Sequence, residues 1–300
     1  MRLTITGATG LIGRELTKKV LNLGYSIDTI SKNGGSINGL TVSALDLIDP
    51  ISVSEYFKNK ETDVVIHLAC KIPTSFNDNT VADSFIPNVQ IIKNMLEAAV
   101  SLKASKFIYS SGICVYTMGS GVYSEKDRIH PYNYYSTSKY VGELLCEQFC
   151  NSRRLQNTCL RISSPYSTYY RYLTVIHRFV KAAVENKNIE LWGSGKRSQD
   201  FVFIDDVVDA ILLATEKDTN GVFNIASGET ISMLQLAKKV LKVAEPTNSR
   251  IVFINKHDPQ EDLVPYFDIS LAKEKLGYEP RYSIDRGLKT LVSYYRSQKV

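Results

Sequence analysis

The chain has 300 residues, 44% of them hydrophobic and 22% charged, with a net charge of +5. That is the composition of an ordinary globular protein, long enough for one large α/β unit or for a large domain and a smaller one. No apolar run approaches the about 18 residues of a membrane helix, and the basic residues are dispersed rather than gathered into a nucleic-acid-binding stripe, so neither a membrane nor a nucleic acid is expected as a partner.

Taken in chain order, the first half alternates short apolar runs with amphipathic stretches. Arg2–Thr6 reads as a strand, Leu11–Leu23 as a helix closed by Gly24, Ser26–Ile30 and Leu40–Ala44 as strands, and Asp63–Ala69 as a strand apolar on both faces. Val89–Ser101 follows as a helix, Lys106–Ser110 as a strand, Ser136–Cys150 as a helix and Asn157–Ile162 as a strand. This alternation implies right-handed βαβ units and a doubly wound parallel sheet. The second half is less regular. Helices are expected at Val175–Glu185, at Asp206–Thr215 with Asp205 as N-cap, at Ile231–Val243, Ser270–Leu276 and Ile284–Arg296, with a strand at Phe201–Ile204 and turns over Asn188–Gln199. The expected organisation is a dinucleotide-binding (Rossmann) domain over 1–162, to which 201–222 returns, and a smaller mixed α/β substrate-binding portion over 163–300.

A glycine motif, Gly7-Ala8-Thr9-Gly10-Leu11-Ile12-Gly13, follows the first strand and opens the first helix. Gly7 permits a tight turn, Gly10 lets backbone approach a pyrophosphate, Gly13 allows close helix–strand packing, and the helix N-terminus attracts the anion. Motif and context together point to a bound NAD or NADP. The strand expected to face the adenosine ribose ends Ile30-Ser31-Lys32, with no carboxylate, and Arg14 follows the loop. This favours NADP, because a basic neighbourhood accepts its 2′-phosphate. The motif begins six residues after Met1, which leaves no room for a signal peptide and makes the cytoplasm the expected location. An odd number of cysteines (Cys70, Cys114, Cys146, Cys150, Cys159) with no clustered histidines argues for reduced thiols in ordinary core or surface positions and against a metal site.

Tyr135 and Lys139 are four residues apart, on one face of an expected helix. A neighbouring ammonium lowers a phenol pKa and makes it a general acid or base near neutrality. Tyr56/Lys60 and Tyr295/Lys299 share the spacing but not the context, and read as surface pairs.

Together these residues resemble the extended short-chain dehydrogenase/reductase family, in its nucleotide-sugar epimerase/dehydratase branch. The match runs through Thr6–Gly13, Asp46-Leu47, Asp63–Ala69, Asn88, Val115-Tyr116, Pro131, Tyr135–Lys139 with Glu143, Arg161, Gly193–Asp206, Asp268-Ile269-Ser270 and Leu276-Gly277-Tyr278. The resemblance implies a cofactor site formed by Gly7, Thr9, Gly10, Leu11, Ile12, Gly13, Arg14, Ser31, Lys32, Asp46, Leu47, Leu68, Ala69 and Asn88 with Tyr135 and Lys139. It also implies a homodimer pairing the helices Val89–Ser101 and Ser136–Cys150. Three positions depart from the family pattern. The usual catalytic Ser/Thr position is Gly112, for which Ser111 is the expected substitute and Ser110 the fallback. An arginine that binds the substrate diphosphate is replaced by Gln199, with Arg197 as substitute, and an asparagine is replaced by Ser164.

Four functions follow as expectations. The first is a 4-keto-sugar reductase, in which NADPH delivers hydride, Tyr135 protonates the alkoxide, Lys139 holds the ribose and Ser111 polarises the carbonyl. The second is a nucleotide-sugar epimerase with retained NAD. The third is a reductase of a non-sugar carbonyl, and the fourth a non-catalytic dinucleotide sensor. The tyrosine-rich stretch Tyr166–Tyr172 is read either as a stacking surface for base or sugar or as packing.

Overall fold

The computed structural model describes residues 1–73, 78–116, 119–153, 155–169 and 173–298. The first half runs β1 (Arg2–Thr6), α1 (Leu11–Asn22), β2 (Ser26–Ser31), β3 (Gly35–Ile37), β4 (Leu40–Ala44), α2 (Pro50–Phe57), β5 (Val64–His67), α3 (Asp78–Ser101), β6 (Lys106–Gly112), β7 (Gly121–Tyr123), α4 (Tyr134–Arg153) and β8 (Gln156–Ile162). It continues with β9 (Ser164–Tyr166), α5 (Val175–Val184), β10 (Ile189–Leu191), β11 (Ser198–Phe203), α6 (Ile204–Glu216) and β12 (Gly221–Ile225). The chain closes with β13 (Thr230–Ser232), α7 (Met233–Val243), β14 (Ile251–Phe253), β15 (Pro265–Phe267), α8 (Ser270–Leu276) and α9 (Ile284–Ser297).

The expected doubly wound sheet is present, in the order β12-β8-β6-β5-β1-β2-β4-β3. Its pairs are parallel except β3 with β4. Helices α2, α3 and α4 cover one face, and α1 and α6 the other. With both faces covered, β5 and β6 are buried along almost their whole length, and the apolar runs 64–66 and 107–109 lie within them. The chain winds outward from β1 in both directions, so the strand order reverses between β1 and β5. A ligand crevice forms at such a switch point, beyond the carboxyl ends of the strands. In the second half β9, β11 and β13 make a small sheet, β10 pairs with β14 and β7 with β15, while α5, α7 and α9 pack on one another. Strand β11 therefore lies in the small sheet, whereas α6 and β12 belong with the large one.

Several elements differ from expectation for identifiable reasons. Strand β3 and its hairpin to β4 turn on Asn38-Gly39, both at positive φ, the two-residue turn that matches strand twist. Helix α2 starts where Asp49 caps the amides of Ile51 and Ser52 and Pro50 occupies the first turn. Helix α3 begins at Asp78 rather than Val89 and runs through Pro87. A proline there cannot bond the carbonyl four residues earlier. That carbonyl, of Asp83, instead accepts from Lys71 Nζ at 3.1 Å. Helix α6 begins at Ile204 with Phe203 as N-cap, so Asp205 is not the cap; it lies in the first turn and accepts from the Tyr282 hydroxyl. Helix α7 begins at Met233 because Ser232 and Gln235 form a reciprocal capping box.

Helix α4 lies close on the sheet at Gly142. A Cβ there would overlap the Tyr109 hydroxyl and come within 2.6 Å of Cζ of the buried Tyr109 ring. Gly142→Ala is expected to cost about 1–3 kcal/mol by overpacking, read as a lowered midpoint in urea unfolding with an unchanged slope.

Candidate active site

The site grows from the carboxyl ends of β1, β5 and β6. Gly7 has φ +71°, and a Cβ on it would lie 2.8 Å from the Ala69 amide nitrogen at the end of β5. A Cβ on Gly13 would strike the Gly7 carbonyl and lie 2.7 Å from the Ala8 Cα. Gly10 caps α1 with no side-chain hydrogen bond, and the first turn holds no acidic residue. The first amides of α1, from Leu11 to Gly13, thus face the crevice without a capping side chain, which is the donor set a pyrophosphate requires. Beneath the loop Thr6 Oγ1 pairs with His67 Nδ1 at 2.8 Å, and the Ala69 amide donates to the same hydroxyl. Burial and the Lys139 charge push His67 down to about 3, so it stays neutral and serves as a strut.

At the end of β2 the basic neighbourhood expected for NADP is compensated. Lys32 Nζ pairs with Asp46 at 2.9 Å, and its hydrogen bond holds the Asp46 carboxyl below its ordinary value. Ser31 is buried and donates to the Gly34 carbonyl, and Arg14 lies 5.0 Å over the Tyr169 ring. Asp46 therefore sits beside the end of β2, where an acid was missing from the linear sequence. Leu47 is buried, its carbonyl held by Asn94 Nδ2. A Cβ placed on Gly35, the first residue of β3, would lie 3.3 Å from Thr9 Cγ2.

Tyr135 and Lys139 share a face of α4, beside the ends of β5 and β6. Lys139 is buried; its Nζ donates to the Ser110 carbonyl at 2.7 Å and lies 5.9 Å from the Tyr135 ring centroid. Burial, then the Cys70 and Cys114 thiols and Tyr109, hold the Tyr135 phenol well above its ordinary value. This is the opposite of the expected lowering, because burial disfavours the charged phenolate. Asn88 accepts from the Lys71 amide at 2.6 Å and donates to Ser138 on α4 at 3.2 Å, tying the segment after Leu68 and Ala69 to the tyrosine helix.

Ser111 does not face the crevice. Its Oγ donates to Glu143 at 2.5 Å, within a buried network in which Glu143 pairs with Arg161 at 2.7 Å. Arg161 donates to the Tyr116 hydroxyl, which donates to Asn224. Burial alone would lower Arg161, but the Glu143 carboxylate holds it above its ordinary value. Ser110, the fallback, donates to the His67 carbonyl at 3.1 Å. Successive residues of β6 point to opposite faces of the sheet, and on each face the serine hydroxyl is already engaged. On the far side of the crevice Ser164 and Gln199 bond each other across β9 and β11. Arg197, at the entrance to β11, pairs with Asp258 at 3.2 Å. Tyr166 is buried against Phe201 and Phe203, which makes it packing; residues 170–172 of the tyrosine-rich stretch lie outside the described residues.

Two neighbours of Tyr135 that sequence reasoning placed among ordinary cysteines are Cys70 and Cys114; only Cys146, Cys150 and Cys159 lie in the core. Their one sequence signal is position, directly after the β5 motif and just past the end of β6. Of the other tyrosine–lysine pairs, Tyr56 and Lys60 both bond Asp28, on β2, and Lys299 lies outside the described residues. A cavity of about 670 Å³ opens at the opposite, amino-terminal edge of the sheet, lined by Arg2, Asp28, Lys60, Glu61 and Lys103. Those charges pair with one another, and no catalytic group faces it.

Residues 3–226 match the model of the NAD dependent epimerase/dehydratase family. The chain belongs to that family. It is similar to the solved UDP-glucose 4-epimerase of Thermotoga maritima with UDP-glucose, at 27% identity and a TM-score of 0.90 over 100% of both chains. It is also similar to the UDP-glucuronic acid 4-epimerase of Bacillus cereus in complex with UDP-glucuronic acid and NAD (27% identity, TM-score 0.86, 99% of this chain and 100% of that one). Among curated sequences, a UDP-N-acetyl-alpha-D-glucosaminuronate decarboxylase of Bacillus cytotoxicus is 26% identical over 98% of each chain. Membership makes this an NAD-dependent enzyme of the epimerase/dehydratase type. The expected preference for NADP is not supported, and the Lys32–Asp46 pair gives the physical reason. Among the described residues no helix is long and apolar enough to cross a membrane, and no acidic, histidine or cysteine group is arranged to hold a metal ion.

Removing Glu143 leaves Arg161 charged and unpaired in the core. Glu143→Leu is expected to cost about 3–5 kcal/mol in urea unfolding, and the double substitution Glu143→Leu/Arg161→Met less than that.

Proposed function

We propose that this protein is a nucleotide-sugar epimerase that retains NAD and inverts a carbon of the sugar by taking and returning hydride. The observation that carries the reading is the meeting of an uncapped glycine-loop helix and a tyrosine–lysine face near the switch point between β1 and β5, with a Lys32–Asp46 pair at the neighbouring ends of β2 and β4. The likeness of the whole chain to two UDP-sugar 4-epimerases supports the substrate class. The reductase expectation rested on an unopposed Lys32 for NADPH, and Asp46 removes that basis.

The first amides of α1 would hold the pyrophosphate of NAD, Asp46 and Ser31 would lie by the adenosine ribose, and Lys139 by the second ribose. NAD, when bound, supplies a hydride acceptor and, oxidised, a positive charge. Tyr135 Oη takes the proton of the sugar hydroxyl being oxidised and returns it when the alcohol re-forms. Burial keeps that phenol protonated in the free protein, so it becomes a base only when positive charge is added beside it. Lys139 is fixed on the Ser110 carbonyl, its Nζ 5.9 Å from the centroid of the Tyr135 ring. Ser164, Gln199 and Arg197, on or beside the small sheet, are assigned to the substrate. The large sheet with α6 and β12 forms the cofactor unit and the rest the sugar unit. Pairing of α3 and α4 between two copies gives the homodimer, with Ile86 of α3 exposed for it.

Denaturing the purified protein and identifying the released dinucleotide by mass spectrometry is expected to yield stoichiometric NAD. Stoichiometric NADP, or consumption of free NADPH with a keto-sugar, would overturn the epimerase reading. With NAD bound, Tyr135→Phe is expected to lower epimerisation of the UDP-sugar that turns over by about 10²–10⁴-fold, with nucleotide affinity unchanged in calorimetry. Full retention of activity would transfer the weight to a role without chemistry at this residue.

A further inference from the structure

The end of β6 offers no free hydroxyl to the crevice. Ser110 is spent on the His67 carbonyl, Ser111 on Glu143, and Gly112 has no side chain. Both serines are buried, while the next three residues, Gly112, Ile113 and Cys114, are partly exposed. A Cβ built on Gly112 has one side chain within 4 Å, that of Cys114, whose Sγ lies 3.4 Å away. The short 3₁₀ turn Ile113–Val115 brings this thiol alongside the space a residue-112 side chain would enter. Tyr135 and Cys70 are also partly exposed, and Cys114 acts electrostatically on Tyr135 and feels Lys139. Thiol, phenol and ammonium thus lie near enough to act on one another.

We infer that the Cys114 thiol, and not a serine of β6, is the group that hydrogen-bonds the reacting oxygen of the substrate opposite Tyr135. The inference rests on the hydride-transfer reading above and names the residue that completes its site. Burial pushes Cys114 up to about 11, so at neutral pH it presents an S–H donor to the sugar oxygen. Such a donor is weaker than a hydroxyl, and it fits an oxygen that is alternately alcohol and ketone because sulfur also accepts. The three core cysteines lie deep in the sheet and helix packing, which leaves Cys70 and Cys114 as the thiols a reagent meets first.

Two measurements test the assignment, one of them independent of turnover. Alkylation of the NAD-loaded protein by N-ethylmaleimide, followed by peptide mass spectrometry, reports Cys114 and Cys70 separately. Saturating UDP-glucose is expected to slow Cys114 labelling at least fivefold, and UDP, which lacks the sugar, to leave it within twofold of the free rate. With the UDP-sugar that turns over, Cys114→Ala is expected to lower kcat about tenfold with little change in KM, and Cys114→Ser to retain activity. Adding Gly112→Ser to Cys114→Ala places a hydroxyl in the same space and is expected to restore most of the loss, which a merely loosened fold would not allow. The assignment fails if Cys114→Ala keeps full kcat while Tyr135→Phe is inactive, or if bound UDP-glucose leaves Cys114 labelling unchanged. If Tyr135→Phe is itself fully active, the hydride-transfer reading falls, and the assignment with it.

Discussion

The ion pair between Glu143 and Arg161 is the constraint on which the site depends. Both side chains are buried, so each charge is tolerable only because the other is there. The pair joins α4 to β8, and through Tyr116 and Asn224 it reaches β12 on the sheet edge. Asn224 in turn donates to the carbonyls of Tyr123 and Asp268, bringing in chain from both β7 and the segment before α8. Tyr135, Lys139 and Glu143 are spaced by four, on one stripe of α4. Fixing the rotation of the helix at Glu143 therefore fixes the direction of the two residues that face the crevice one and two turns earlier. The same carboxylate draws Ser111 downward, and this leaves the upper end of β6 to Gly112 and Cys114.

The opposite wall is built from backbone rather than side chains. Gly7 and Gly13 let α1 lie against the ends of β1 and β5 with no Cβ between them. Neutral His67 and Thr6 carry that approach from below. Beyond β5, Lys71 satisfies the carbonyl that Pro87 leaves free, and Asn88 clasps the Lys71 backbone from the next residue of α3. A proline that would weaken an isolated helix is thereby turned into an anchor for the segment carrying Leu68, Ala69 and Cys70.

Charge at the adenosine end follows from the same economy of pairing. Lys32 and Asp46 are distant in sequence but neighbours in the sheet, because β2 and β4 are adjacent and end together. A lysine that reads as a phosphate ligand in one dimension becomes half of a neutral pair in three.

The fold class was legible in the sequence, since strands buried on both faces and amphipathic helices each leave a periodicity that survives without knowledge of partners. Gly7, Gly10 and Gly13 were legible as a loop, and Tyr135 with Lys139 as a helical pair, because those signals are local. The Asn38-Gly39 turn and the Asp49-Pro50 helix start were equally local and were overlooked beside the stronger patterns. What the linear chain did not hold was partnership. That Lys32 meets Asp46, that Ser111 is claimed by Glu143, that Lys139 bonds a carbonyl, that burial holds the Tyr135 phenol above its ordinary value, and that Cys114 turns back beside Gly112 all depend on contacts between segments far apart or on the path of a single turn. Spacing along the chain determined which groups were available to this protein; only the packing of α4 against the sheet decided which of them remained free to act.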